Sequence, residues 1–328
     1  MPSRNNRSGA SGPAARYLRA GAVLAAMTLA LGGCVTTEEE PLDLAPPAAA
    51  SDVGPRTIVL AERAIAEGRY GDAGRLLERA VLADPENARA KLLRAEVFLA
   101  TGANQRALEY FGELAGHPEV GAQALQGEGI ALTLLGDAKL GTERLGQAVE
   151  ADPSLWRAWN ALGSHYDTLG DWEAATASYD KALAVNPNSA FVYNNRGYSM
   201  LMQARWDEAV KDLSKAVLID QDFELARSNL RLALAWKGRY ASAVSGATDK
   251  EMSQILNNIG FVAILRGDYD NAETYLLRAM EADASFNETA WKNLAYLKSM
   301  REVSATETPP AAPAAAPAAA PAAALQQQ

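Results

Sequence analysis

Residues 156–187 carry the pattern that decides the fold, and they read WRAWNALGSHYDTLGDWEAATASYDKALAVNP. The first half has residues at the three- and four-residue spacing of one helix face: Trp159, Leu162, Gly163 and Tyr166. Gly170 ends that helix, because a residue that tolerates positive φ lets the chain reverse within a few positions. A second helix begins at Trp172 and Pro187 closes it. The segment therefore predicts a helix-turn-helix hairpin.

The hairpin recurs along the chain with a period of 34 residues. The turn residues keep this spacing: Gly68, Gly102, Gly136, Gly170, Ala204 and Gly238. Small residues of the second helices keep the same register: Ala73, Ala107, Gly141, Ala175, Ala209 and Ala243. A small side chain at a helix crossing lets two helices approach closely. Together with the abundance of alanine, this predicts an all-α array of stacked hairpins.

The period places this array at residues 54–301 and divides it into about seven units. Five units have the full length: 54–87, 88–121, 122–155, 156–189 and 190–223. The sixth begins at Glu224, and we expect its second helix to be short because Gly267 follows Gly238 by only 29 residues. The seventh begins at Ser253. An amphipathic helix over 287–300 is predicted to cap the array.

Composition and motifs exclude several classes of function. With 40 acidic and 31 basic residues the net charge is -9, so the chain lacks the positive surface of a nucleic-acid binder. His117, His165 and the single Cys34 cannot supply a zinc site or a disulfide framework. The sequence contains no metalloprotease, phosphate-loop or nucleophile-elbow motif. We expect a protein that is not an enzyme, with no catalytic residue, no metal and no cofactor.

The amino-terminal 33 residues contain arginines and no acid, followed by a 12-residue uncharged run from Ala20 to Leu31. This layout is typical of a secretory signal peptide, and the run is shorter than the roughly 20 residues of a membrane-spanning helix. The run ends in Leu31-Gly32-Gly33-Cys34, which resembles a bacterial lipobox. The resemblance implies cleavage before Cys34, acylation of that residue and, with Val35 next, delivery to the outer membrane of a Gram-negative bacterium.

Two low-complexity segments flank the array. Residues 34–53 are rich in Thr, Glu, Pro and Ala, and we expect a flexible linker that starts at the acylated Cys34. Residues 302–328 form a Pro/Ala-rich tail, which is predicted to be disordered because it has little apolar bulk to bury. Contact with the membrane is then expected through the acyl anchor only.

A 34-residue hairpin with these marks resembles the tetratricopeptide repeat (TPR), which stacks into a right-handed superhelix, an α-solenoid. In such superhelices the first helix of each unit lines a concave groove. The resemblance thus implies a peptide-binding groove lined by Asn160, Asn194, Asn195, Tyr198, Met202, Asn229, Leu232, Trp236, Asn257, Asn258 and Phe261. Asparagine amides match the donor and acceptor of an extended peptide backbone, and apolar neighbours offer pockets. Alternatively, these asparagines bond to one another or to neighbouring helices.

The stretch from Trp159 to Leu294 is also similar to TadD, the family of Flp/Tad pilus assembly lipoproteins. The similarity lies in three segments: Trp159-Asn160-Ala161-Leu162-Gly163, Tyr193-Asn194-Asn195-Arg196-Gly197 and Asn229-Leu230-x-Leu232-Ala233-Leu234. It implies an outer-membrane-tethered, periplasm-facing scaffold that binds proteins or extended peptides, with secretin or pilus assembly components as partners. One alternative is an NlpI-like envelope adaptor that recruits peptidoglycan hydrolases. Others are a pilotin-like lipoprotein of type IV pili and an enzyme with an unfamiliar site near His165.

Overall fold

The computed structural model describes residues 53–282 and 287–304. Within these ranges the backbone forms fifteen α-helices and no β-strand. The helices are α1 Val53–Ala66, α2 Tyr70–Ala83, α3 Ala88–Ala100, α4 Asn104–Leu114, α5 Gly121–Leu134, α6 Ala138–Ala151, α7 Trp156–Leu169, α8 Trp172–Val185, α9 Ala190–Met202, α10 Trp206–Ile219, α11 Glu224–Trp236, α12 Tyr240–Val244, α13 Asp249–Leu265, α14 Tyr269–Glu281 and α15 Glu288–Ser304. The predicted signal peptide (1–33), acylated Cys34, nearly all of the linker and the tail from residue 305 lie outside the described residues.

Helices α1 to α14 pair as seven hairpins, each with a first helix, a tight turn and a second helix, and α15 follows them. Every hairpin turn contains one residue with left-handed backbone: Gly68, Gly102, Gly136, Gly170, Ala204, Gly238 and Gly267. The first six keep the 34-residue spacing, and Gly267 follows the shortened hairpin. The all-α class and the hairpin repeat are therefore confirmed.

Several helices begin where a short polar side chain caps exposed backbone N–H groups. The side chain of Asn87 accepts from Ala90 N at 2.9 Å, and that of Asp137 accepts from Leu140 N at 3.1 Å. Asn287 caps α15 in the same way, by accepting from Ala290 N at 2.9 Å. Each such cap contributes about 1 kcal/mol, so these residues fix the points at which the helices start.

The described residues form two compact units, 53–196 and 197–304, and the boundary falls within α9. In the N-terminal unit the core is built from fully buried side chains that the first and second helices share: Leu77, Phe111, Ile130, Leu145, Tyr179 and Val192. Helices α5 and α6 are in close contact where two glycines meet, since a Cβ on Gly129 would lie 2.8 Å from the carbonyl oxygen of Gly141. Larger residues there would force this helix pair apart.

The C-terminal unit has its own core, whose largest fully buried side chains are Leu213, Leu256, Ile259, Leu276 and Leu297. Its second hairpin is the short one: α12 has five residues, as the 29-residue spacing predicts. Helix α13 starts early at a capping box, in which the backbone N–H and the hydroxyl of Thr248 donate to the Glu251 carboxylate at 3.2 and 2.7 Å.

Candidate functional site

The predicted groove asparagines of the N-terminal unit are buried. Asn160, Asn194 and Asn195 expose 0%, 2% and 3% of their surface. The Asn195 amide donates to Asn160 Oδ1 at 3.1 Å, and Asn194 Nδ2 donates to Asn195 Oδ1 at 3.2 Å. The first bond links α7 to the first helix of the next repeat, α9, and the second orients the Asn195 amide within α9. The three amides thus make the contacts within the array that the alternative interpretation expected.

The C-terminal unit repeats this arrangement. Asn293 Nδ2 donates to Asn257 Oδ1 at 2.9 Å, which links α15 to α13, and Asn257 Nδ2 donates to Asn258 Oδ1 at 3.4 Å. Asn229 is also buried. Sequence reasoning missed Asn293, although its spacing of 36 residues from Asn257 is close to the 35 residues between Asn160 and Asn195.

The accessible part of the predicted groove lies in the C-terminal unit. Five of the predicted residues are half-buried, and we call them the accessible row: Tyr198, Met202, Leu232, Asn258 and Phe261. They sit on α9, α11 and α13, the first helices of the unit. Trp236 differs, because it is buried and stacks on Trp206 with ring centroids 4.9 Å apart and planes 4° apart. The accessible row combines four apolar or aromatic groups with one amide, a composition suited to a polypeptide ligand.

First helices of the N-terminal unit carry an ion pair that the period does not reveal. Arg157 on α7 donates to the Glu96 carboxylate on α3 at 2.9 Å, with 18% and 19% of the side chains exposed. Gln126, on the intervening first helix α5, accepts from the backbone N–H of Ala158 at 3.1 Å. In this unit, charged and amide groups thus tie first helices together.

The chemistry around His165 is sparse. A shallow surface depression of about 480 Å³ is lined by His165 with Lys139, Thr142, Glu143 and Leu169. Burial lowers the pKa of His165, which favours the neutral form of its imidazole. In the part of the chain that the structure describes, no group of three or more His, Cys, Asp or Glu residues could hold a metal ion. None of the helices within 53–282 and 287–304 is both long and apolar enough to cross a bilayer.

Comparison with known families agrees with this architecture. Family models described as tetratricopeptide repeat match residues 58–119 and 253–286, and one described as TPR repeat matches residues 166–203. The chain is a TPR repeat protein. Such repeats typically bind protein partners, and scaffolds built from them are generally non-enzymatic. No curated protein matches the chain.

Solved structures match the chain at low sequence identity. The Cut9–Hcn1 hetero-tetramer of the APC/C is 14% identical over 74% of this chain and 55% of that chain, with a TM-score of 0.50. TTC0263, a thermophilic TPR protein of Thermus thermophilus, is 24% identical over 58% of this chain and 98% of its own, with a TM-score of 0.48. Pseudomonas aeruginosa pilF is 17% identical over 75% and 98%, also at 0.48. At 14% identity the likeness to the Cut9–Hcn1 structure is one of fold alone.

Proposed function

We propose that the protein is a lipid-anchored TPR scaffold of the Gram-negative outer membrane that faces the periplasm and holds protein partners during assembly of the Flp/Tad pilus. The repeat array carries the protein-binding part of this proposal. The sequence Leu31-Gly32-Gly33-Cys34 supports the anchor. The similarity of three first-helix segments between Trp159 and Leu294 to TadD supports the pilus system.

Binding is proposed to use the accessible row of the C-terminal unit. An extended segment of a secretin or pilus component would place its backbone against the Asn258 amide, with alternate side chains against Met202, Leu232 and Phe261. The buried bond between Asn257 and Asn293 fixes α13 against α15 before the ligand arrives. A surface held rigid in this way loses little conformational entropy on binding.

The binding surface can be tested with purified periplasmic domains of the Flp/Tad secretin. The double variant Asn258→Ala, Phe261→Ala is expected to weaken binding by roughly tenfold or more, the loss typical of a central contact. Because both side chains are half-buried rather than fully buried, the far-ultraviolet melting curve is expected to change little. Glu113→Ala, at an exposed position of α4, is the matched control and should bind as the wild type does. Unchanged affinity of the double variant would remove the accessible row from the proposal.

Anchor and system are tested separately in cells. Cys34→Ser is expected to remove the protein from the outer-membrane fraction, and retention in that fraction would argue against acylation. Deletion is expected to abolish Flp pili while cell shape stays normal. Normal piliation with altered cell shape and recovery of peptidoglycan hydrolases would instead support the NlpI-like adaptor. Loss of type IV pili alone would support the pilotin-like lipoprotein.

A further inference from the structure

Helix α15 has the sequence pattern of a first helix. Trp291, Leu294 and Ala295 stand at the same spacing as Trp159, Leu162 and Gly163 of the unit that defines the repeat. Leu294 is buried, like Leu162.

The position of α15 in the array is also that of a first helix. The bond from Asn293 to Asn257, which joins α15 to α13, repeats the bond from Asn195 to Asn160, which joins α9 to α7. Leu297 is fully buried on the same side as Leu294. Helix α15 is therefore built as the first helix of an eighth repeat.

In complete repeats the second helix covers the small residue of the first helix. A Cβ on Gly163 would lie 2.7 Å from the ring of Tyr179, and a Cβ on Gly260 would lie 2.7 Å from Leu276. The covering residue in both pairs comes 16 positions later, on the second helix. The second helix also covers the tryptophan, since Lys181 lies 4.1 Å from the ring centroid of Trp159.

On α15 the corresponding face is open to solvent. Ala295 is exposed, although it occupies the position of the buried Gly163 and Gly260, and Trp291 is 50% exposed. The residue 16 positions after Ala295 is Ala311, which lies between Pro310 and Pro313. Proline lacks the backbone donor and clashes inside a helix, so the sequence there does not favour a second helix.

We propose that this open face of α15, formed by Trp291, Ala295 and Lys298, binds an amphipathic helix of a partner protein that completes the eighth repeat. The face continues the interface that each first helix of the array makes with its second helix. The second helices within the array indicate which residues the partner helix needs. Each buries a stripe that consists of an Ala, a Leu or Tyr four residues later, and a second Ala three residues after that. The stripe is seen in Ala175, Tyr179 and Ala182, and in Ala272, Leu276 and Ala279.

Charge adds a further requirement for the partner helix. Lys298 is exposed one turn beyond Ala295, so an acidic residue on the incoming helix would pair with it. The neighbouring Arg301 already pairs in this way with acids of α14, Asp270 at 2.9 Å and Glu273 at 2.5 Å. The proposal rests on the protein-binding role proposed above but uses none of the accessible row, so the two can fail independently.

A first experiment uses the full chain and a fluorescein-labelled peptide with the sequence of residues 267–282, the turn and second helix of the seventh repeat. Fluorescence anisotropy is expected to show saturable binding to the wild type. Ala295→Arg places a long charged side chain at the helix crossing, so the affinity is expected to fall by more than tenfold. Thr289→Arg puts the same residue at an exposed position on another side of α15 and should leave binding unchanged. Equal affinity of the two variants would overturn the proposal.

A covalent version avoids dependence on peptide affinity. Residues 305–328 are replaced by a copy of 266–282, which is expected to raise the melting temperature above that of a chain ending at Ser304. Ala295→Arg should abolish this gain, and a gain that survives it would contradict the proposal.

Two other occupants of the open face would also overturn the proposal. If the protein forms a dimer that Ala295→Arg dissociates, the face binds a second copy. If truncation at Ser304 red-shifts tryptophan emission in the wild type but not in Trp291→Phe, the chain's own tail covers the face.

Discussion

Gly163 shows how one missing side chain sets the distance between two helices. A Cβ on Gly163 would lie only 2.7 Å from the ring of Tyr179, and that ring is nearly fully buried. Gly163→Ala is therefore expected to reduce the free energy of unfolding by about 1–3 kcal/mol, because either the ring or α7 must shift. Urea unfolding measures the change.

The control is Gly146→Ala in the middle of α6, where no atom lies within 4 Å of the added Cβ. This variant is expected to gain stability, since alanine favours a helix over glycine by about 1 kcal/mol. If both alanines had the same effect, close packing would not be the reason for the glycine at 163.

Ala204 occupies a turn position at which the other hairpins have glycine. Its φ of 59° makes it the only non-glycine residue with positive φ among the described residues. A side chain in this region costs about 1–2 kcal/mol, so Ala204→Gly is expected to raise the free energy of unfolding by up to about 1 kcal/mol after the greater entropy of the unfolded glycine is subtracted. Gly170→Ala, the reverse change at a position where φ is 71°, should destabilise the protein. Thermal unfolding of both variants, compared with the wild type, tests the pair.

The turn residues could be predicted from the sequence, but the environment of the asparagines could not. A period reveals where a left-handed residue is needed, because the need is local. Whether Asn160 faces solvent or accepts a bond from Asn195 depends on how α9 packs against α7. Both outcomes use the same residue type at the same spacing, and only the packing of the two helices distinguishes them. Asn258 is half-buried, and the proposed binding role therefore uses this asparagine.

The short second helix of the sixth hairpin could be predicted from the sequence, but the side-chain contacts that stabilise this hairpin could not. Helix α12 has only five residues. Arg266, which follows α13, packs against Gly238 in the turn between α11 and α12. The Arg266 guanidinium donates to the carbonyl oxygen of Trp236, and its Nε donates to the Tyr240 hydroxyl at 3.2 Å. Tyr240 in turn donates to Asp268 at 3.0 Å. These contacts exist because a missing helical turn brings α13 close to α11, which residue spacing alone does not show.

Arg266→Ala is expected to loosen this hairpin more than the rest of the protein. The change leaves the Trp236 carbonyl and the Tyr240 hydroxyl short of a donor, at a cost of about 1–3 kcal/mol for such groups. Hydrogen exchange of the amides in 240–248 should accelerate more than that of any other segment. Arg239→Ala, an exposed arginine next to the same turn, is the control. Equal acceleration in both variants would show that general charge loss, rather than these bonds, is responsible.

At the scale of the whole molecule, the fold class could be predicted from the sequence, because 34-residue periodicity constrains every hairpin at once. Each repeat cannot bury its apolar face alone and must stack on its neighbours. The proposed lipid anchor and the proposed pilus partner are different in kind. They would depend on a processing enzyme and on a second protein, neither of which the packing of residues 53–282 and 287–304 records.

An array stabilised by nearest neighbours is expected to unfold locally. Leu77 and Leu276 hold the same repeat position, both are fully buried, and they belong to separate cores of the two units. Leu77→Ala and Leu276→Ala should each cost about 2–5 kcal/mol. The loss of stability should be confined to the mutated repeat and its neighbours, because each repeat of such an array packs only against adjacent repeats.

Hydrogen exchange read by mass spectrometry distinguishes local from global effects. Leu77→Ala is expected to accelerate exchange in α1 to α4 and to leave α13 to α15 protected, and Leu276→Ala is expected to do the opposite. Uniform acceleration across 53–304 in either variant would mean that the whole array unfolds as one cooperative unit. In that case a partner bound at one repeat would stabilise all of the repeats equally. If unfolding is local, the partner proposed for the accessible row would stabilise mainly the C-terminal unit.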